Sequence, residues 1–157
     1  MLRRHTWKTG VMLSGLAAVV VVGVAGAQMK VGSGDVVADR QRLMKLNGAS
    51  WQDAQAKAKA GNVEAIAVNA ETLAINAGHI PTLFPQGSLT DKSNAKPEIW
   101  EKRAEFESAA KNLETWAVKL RDAARSKDAQ ATEAVMKDFG RQTCDGCHTP
   151  FRAPPKS

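Results

Sequence analysis

Apolar positions recur with the period of an α-helix over four segments of this sequence. The first segment runs from about Asp35 to Ala60, and the second runs from about Val63 to Ala77. Gly61 interrupts the pattern between them, and Gly78 ends the second helix. In each segment, apolar residues three, four and seven positions apart form one face of the predicted helix. These residues are Val36, Leu43, Met44, Trp51, Ala54 and Ala58, followed by Ile66, Ala70, Leu73 and Ala77.

A long connection separates the first two helices from the last two. Residues 78–96 contain prolines, glycines and serines, which predicts an irregular crossover over one end of a bundle. A third helix is predicted to begin near Pro97, because proline suits the first helical turn. Its apolar seam is close to a heptad and comprises Ile99, Phe106, Ala110, Leu113, Ala117, Leu120 and Ala124. A short turn at residues 126–128 leads to a fourth helix from about Asp128, and Thr149-Pro150 is predicted to end it.

The order of these elements predicts the fold class. No stretch alternates between apolar and polar residues in the manner of a strand, and tyrosine is absent. Four amphipathic helices joined by two short turns and one long crossover are typical of a four-helix bundle. We therefore expect an all-α protein built as an antiparallel four-helix bundle.

The first 27 residues have the composition of an export signal. Arg3, Arg4 and Lys8 precede an apolar stretch from Val11 to Ala27, and small residues at its end suit cleavage before Gln28. The alternative is an uncleaved membrane anchor, for which this stretch is short. The sequence therefore predicts a signal peptide at residues 1–27, a single domain at 28–157 and a periplasmic location.

Composition and charge exclude other classes of protein. The chain has 157 residues and a formal net charge of +6, half of which comes from the three basic residues of the predicted signal. No basic stripe is interleaved with aromatic residues, so a nucleic-acid-binding protein is not expected. No carboxylate pair or nucleophile–base pair stands out, so an enzyme is not expected either.

The richest chemistry lies near the end of the sequence. Residues 144–148 read Cys-Asp-Gly-Cys-His, a C-x-x-C-H pattern that holds both cysteines of the chain. Two thiols at this spacing form thioethers with the vinyl groups of a haem, and the adjacent histidine ligates its iron. A zinc site would need further ligands at suitable spacing, and a thioredoxin-like pair would need a βαβ pattern. The motif therefore predicts one covalently attached haem c, held near one end of the bundle by Cys144, Cys147 and His148.

The sequence resembles the class II c-type cytochromes, the group of cytochrome c′ and its low-spin relatives. The match covers nearly all of the chain after residue 27 and rests on a late C-x-x-C-H motif with no methionine after it. Further matches are Arg40-Gln41-Arg42-Leu43-Met44, Lys96-Pro97-Glu98-Ile99-Trp100 and Phe151-Arg152. One departure is the sequence His79-Ile80-Pro81, where many relatives have a Pro-Trp pair.

The resemblance implies roles for individual residues. It implies that Arg40 and Gln41 lie against the haem and its propionates, and that Arg152 lies beside the proximal His148. Asn94 matches a haem-contacting position in the crossover. Met44 matches the helix 1 position that faces the distal side of the iron.

The sixth ligand of the iron separates two possible functions. Met136 lies twelve residues before His148 on the same predicted helix, about 18 Å along its axis, and cannot reach the opposite side. His79 would need the crossover folded over the haem. Met44 remains, although a methionine on an apolar helical face also serves as core filler. The run from Leu43 to Gly48 resembles that of the methionine-ligated relatives.

With Met44 as ligand, we expect a periplasmic carrier of single electrons that serves redox partner proteins. The alternative is a five-coordinate, high-spin protein that binds nitric oxide or carbon monoxide. The resemblance also implies a homodimer that pairs through helices 1 and 2. Trp51 is a candidate contact between the two chains, with burial in the monomer core as the alternative.

Overall fold

The computed structural model describes residues 32–154 and confirms the all-α four-helix bundle. Helix α1 spans Val36–Lys59 and α2 spans Ile66–His79, followed by a 3₁₀ turn at Pro81–Leu83. The third predicted helix consists of α3 (Glu98–Glu101) and α4 (Arg103–Arg125). The fourth consists of α5 (Ala129–Phe139), a π-helical turn at Gly140–Asp145 and α6 (Gly146–Phe151). The predicted signal peptide at residues 1–27 lies outside the described residues.

Within residues 32–154 there is no β-strand, only an isolated antiparallel bridge between Ala95 and Arg152. None of the helices in this range is long and apolar enough to cross a membrane.

Two helix boundaries differ from the sequence prediction. Helix 3 breaks at Lys102, whose φ of −116° and ψ of 49° are not helical. The fourth helix does not end at Thr149-Pro150 but continues to Phe151. Phe151 is buried and its ring packs edge-on against Phe106 with a centroid distance of 5.3 Å, so tertiary packing outweighs the helix-breaking tendency of Pro150.

The core lies between α2 and α4, and α1 packs on α2. Glu71 of α2 forms ion pairs with Arg121 and Arg125 of α4, at 3.1 and 3.2 Å. Asn69 of α2 is buried, and its amide group lies between Asp53 and Lys57 of α1. These polar contacts hold α2 in position between α1 and α4.

The crossover between α2 and α3 lies over the end of the bundle that carries the cysteine motif. The Arg40 guanidinium donates a 2.9 Å hydrogen bond to the Ser88 carbonyl, and the Gln41 amide donates to the Lys92 carbonyl at 3.2 Å. At the other side, the Lys96 N–H donates to the Phe151 carbonyl at 3.0 Å. The crossover therefore connects the beginning of α1 with the end of α6.

Trp51 packs against the core of the monomer. Its ring stacks on Phe139 of α5, with ring centroids 4.5 Å apart and planes 21° apart. Phe139 is fully buried. Trp51 is half-buried, so this stacking supports packing within the monomer, and a contact with a second chain through its exposed part stays a prediction.

Candidate functional site

Two cavities at the crossover end of the bundle form the candidate site. The larger has a volume of 320 Å³ and the smaller 120 Å³. Both are lined by Met44 from α1, Ile80 from the crossover directly after α2, and Cys147 and His148 from α6. Together they form a slot between α1 and α6 in the size range of ligand sites.

The cysteine motif forms one side of this slot. Cys147 and His148 border both cavities, and Cys144 borders the smaller one. Burial raises the pKa of the Cys147 thiol to about 11, with a smaller contribution from Cys144. The haem-free thiol is therefore protonated at neutral pH.

The His148 imidazole is suited to ligate a metal. Burial lowers its pKa below the ordinary value of 6.5, Arg152 lowers it further, and Asp145 opposes the shift. The imidazole is therefore neutral at neutral pH, the form that donates a lone pair to iron.

Arg40 provides a buried positive charge on the opposite side of the slot. It is only 4% exposed, and its guanidinium lies 4.5 Å over the ring of Phe84. Its Nε and Nη2 atoms donate hydrogen bonds to the carbonyls of Val36 and Ser88. Nη1 is buried and has no hydrogen-bond partner among the described residues. Such a donor is costly unless an anion pairs with it.

These features fit a haem. The slot brings together two thiols, a neutral imidazole, an unpaired buried guanidinium donor and apolar walls. A haem is a flat apolar ring with two carboxylates, so the guanidinium suits a propionate and the walls suit the ring. The isoleucines and phenylalanines that line the larger cavity are Ile80, Phe84, Ile99, Phe106 and Phe151.

The structure brings the eight predicted site residues together. Cys144 borders the smaller cavity, and the other seven border the larger one: Arg40, Gln41, Met44, Asn94, Cys147, His148 and Arg152. Neither His79 nor Met136 lines this slot; Met136 borders a separate groove between α1 and α5. Met44 is thus the methionine that faces the slot within the described residues.

Several site residues were not predicted. Ile80 and Phe84 belong to the crossover and form its buried apolar contacts with the slot. Their apolar character within a polar connection is the signal that could have identified them. Lys45 also lines the larger cavity, but an exposed lysine beside a helical face carries no such signal.

The family model described as Cytochrome C′ matches residues 35–152. A cytochrome c-556 from Agrobacterium tumefaciens is 34% identical over 119 residues, which cover 74% of this chain and 95% of that protein. A cytochrome c-554 from Cereibacter sphaeroides is 36% identical over 75 residues, which cover 46% of this chain and 48% of the relative. The chain thus spans about half the length of this cytochrome c-554.

A solved structure supports the same assignment. It is a nitric oxide complex of a variant cytochrome c prime from Alcaligenes xylosoxidans, with a TM-score of 0.69 and 26% sequence identity. The superposition covers 78% of this chain and 96% of that one. The helical bundle, the slot with its C-x-x-C-H motif and the family match over most of the described residues agree. The chain therefore belongs to the cytochrome c′ family, whose members carry one covalently attached haem c per chain.

Proposed function

We propose that this protein is a periplasmic electron carrier whose haem is attached through Cys144 and Cys147 and ligated by His148 and Met44. The observation that carries the proposal is that Met44 and His148 border both cavities from two different helices, α1 and α6. A thioether and a neutral imidazole on two sides of one slot would both be suited to ligate the iron of a haem bound there.

Each side chain has a distinct task in this proposal. The bound haem supplies an iron that alternates between ferric and ferrous states. Arg40 holds a propionate through its unpaired Nη1 atom, and Gln41, Asn94 and Arg152 line the polar part of the slot. Met44 would occupy a ligand position of the iron, which would favour electron transfer over the binding of small molecules.

The apolar walls keep water away from the slot. Phe84, Phe106 and Phe151 are each less than a tenth exposed, and Phe106 contacts both other rings edge-on. A dry environment of this kind is one of the factors by which a protein sets the potential of a haem. The walls therefore contribute to electron transfer without taking part in any bond-making step.

The proposal includes location and partners. The sequence of residues 1–27 supports export to the periplasm, where haem is attached to C-x-x-C-H motifs. The partners are other redox proteins, together with a second copy of the chain that pairs through the outer faces of α1 and α2. No catalytic reaction is part of the proposal.

The alternative is a five-coordinate protein that binds nitric oxide or carbon monoxide. It is supported by the similarity to the Alcaligenes xylosoxidans protein, whose solved structure is a nitric oxide complex. In this alternative Met44 fills space beside the iron without ligating it. The two proposals differ in whether the Met44 sulfur bonds the iron, so a substitution of Met44 can distinguish them.

The test compares optical spectra of the wild type and Met44→Leu. We expect a low-spin ferric wild type with a near-infrared methionine-to-iron charge-transfer band. Leucine fills a similar volume at a cost of less than about 1.5 kcal/mol, so Met44→Leu should remain folded. The variant should become high-spin, bind carbon monoxide and have a lower reduction potential, because a thioether favours ferrous iron. Identical high-spin spectra in both proteins would establish the gas-binding alternative instead.

Covalent attachment of the haem to Cys144 and Cys147 is tested separately. Acid–acetone extraction of the denatured protein should leave the haem absorbance with the polypeptide, because thioether bonds survive this treatment. A Cys144→Ala/Cys147→Ala variant should release its haem into the organic phase. Extraction of haem from the wild type would contradict covalent attachment.

A further inference from the structure

The first residue of α4 bonds the crossover at two points. The Arg103 guanidinium donates to the Phe84 carbonyl at 2.9 Å through Nη1 and to the Pro81 carbonyl at 2.8 Å through Nη2. Pro81 begins the 3₁₀ turn at Pro81–Leu83, and Phe84 directly follows it. The Arg103 Nε atom donates to the Glu107 carboxylate at 2.7 Å, which orients the planar guanidinium towards the turn. Arg103 therefore ties the 3₁₀ turn of the crossover to α4.

The place of Arg103 in its own helix does not account for this side chain. Because Lys102 is not helical, Arg103 stands in the first turn of α4. The helix dipole disfavours a positive charge there. The ion pair with Glu107 contributes little, since the Glu107 side chain is 52% exposed. The stabilisation by Arg103 therefore lies mainly in its bonds to the crossover.

The turn that Arg103 holds carries part of the wall of the slot. Ile80 and Phe84 flank the turn, are each less than a tenth exposed and both border the larger cavity. The Phe84 ring packs edge-on against Phe106 with a centroid distance of 4.9 Å. The Arg40 guanidinium lies 4.5 Å over the same Phe84 ring. A displaced turn would therefore move an apolar wall and the support of Arg40 together.

We propose that Arg103 is a positioning residue for the haem site: its bonds to Pro81 and Phe84 hold the crossover against the slot and exclude water from it. The inference rests on the haem that the proposed function places in the slot. Arg103 itself borders neither cavity, so it acts through Phe84. Water in the slot would stabilise ferric iron, the more highly charged state. The bonds from Arg103 thus keep the reduction potential high.

The experiment applies two measurements to the haem-bound protein. Hydrogen–deuterium exchange with mass spectrometry reports on the turn through the amides of Leu83 and Phe84, which bond the carbonyls of Ile80 and Pro81. An optical redox titration gives the reduction potential. Arg103→Gln should speed the exchange of this segment at least about tenfold, the factor that corresponds to one hydrogen bond from a charged group. The same variant should have a lower reduction potential than the wild type.

Two further variants separate positioning from charge. Arg103→Lys keeps the positive charge but replaces the planar fork with a single ammonium group. It should therefore also show faster exchange and a lower potential. Lys102→Gln is the matched control, because it removes one positive charge from the exposed neighbouring side chain. This variant should keep the exchange rate and the potential of the wild type.

The outcomes are distinguishable. Wild-type exchange in both Arg103 variants would overturn the inference, and so would faster exchange with an unchanged potential, which indicates a purely structural role. A potential that falls as far in Lys102→Gln as in Arg103→Gln would show an effect of charge alone and would overturn it too. Failure of the proposed function appears elsewhere, as identical high-spin spectra of the wild type and Met44→Leu. Both measurements on Arg103 require only the attached haem, so they remain valid in that case.

Discussion

Arg40 combines burial and charge in a way that depends on the haem. A buried guanidinium is costly unless every donor finds a partner. Two of its nitrogens bond backbone carbonyls, the ring of Phe84 lies beneath it, and Nη1 remains unpaired among the described residues. A haem propionate at Nη1 would give the last guanidinium donor a partner. Because Arg40 also bonds the Ser88 carbonyl, haem binding would then stabilise the contact between α1 and the crossover.

Arg40→Gln should therefore affect both stability and redox behaviour. We expect the holoprotein to lose about 2 kcal/mol in its free energy of unfolding, measured with guanidinium chloride. The reduction potential should fall, because removing a positive charge beside a propionate disfavours the ferrous state. Arg42→Gln is the control: that side chain is 59% exposed and pairs with Asp39, so its loss should cost less than about 0.5 kcal/mol. An unchanged potential in Arg40→Gln would contradict the contact with the propionate.

The helices were predictable because their apolar faces repeat with a regular period, whereas the interruptions were not. Lys102 and the turn at Gly140–Asp145 involve no proline and no periodic change that marks a break. The continuation of α6 past Pro150 follows from the packing of Phe151 on Phe106, a contact between residues far apart in the sequence. The ligating motif was predictable from its chemistry, but the direction in which it faces depends on a turn that its residue types do not specify.

At the level of paired helices, Asp53 should make the stability of the bundle sensitive to acid. Hydrogen bonds from Lys57 at 2.7 Å and from buried Asn69 at 2.9 Å lower the pKa of Asp53 below its ordinary value of 3.8. The Asp53 carboxylate therefore contributes fully to the free energy of unfolding above about pH 4. This contribution is lost as the pH falls through the lowered pKa of Asp53.

Asp53→Asn removes this titrating group. Thermal unfolding of the holoprotein should show a lower Tm for Asp53→Asn than for the wild type at pH 6. The difference should shrink steadily between pH 4 and pH 2, since the wild type loses its carboxylate there. A difference that stays constant over this range would show that the carboxylate charge does not contribute to the pairing of α1 and α2.

For the whole molecule, three of the large apolar side chains that are exposed among the described residues belong to α1 and α2. Val68 and Ile75 on α2 are 69% and 56% exposed, and Leu46 on α1 is 55% exposed. Trp51 of α1 stacks on Phe139 and is only partly buried. A homodimer that pairs through α1 and α2 would bury these three side chains, and this burial would favour association.

The dimer is tested by placing a charge at these exposed positions of α2. Light scattering over a range of concentrations should show a dimer for the wild-type holoprotein. Val68→Glu and Ile75→Glu should each raise the dimer dissociation constant by at least about tenfold, because a desolvated carboxylate opposes association. Leu89→Glu is the matched control, since Leu89 is 44% exposed and belongs to the crossover and not to α1 or α2. A wild type that remains monomeric at high concentration would exclude the pairing, and equal weakening by Leu89→Glu would place the interface elsewhere.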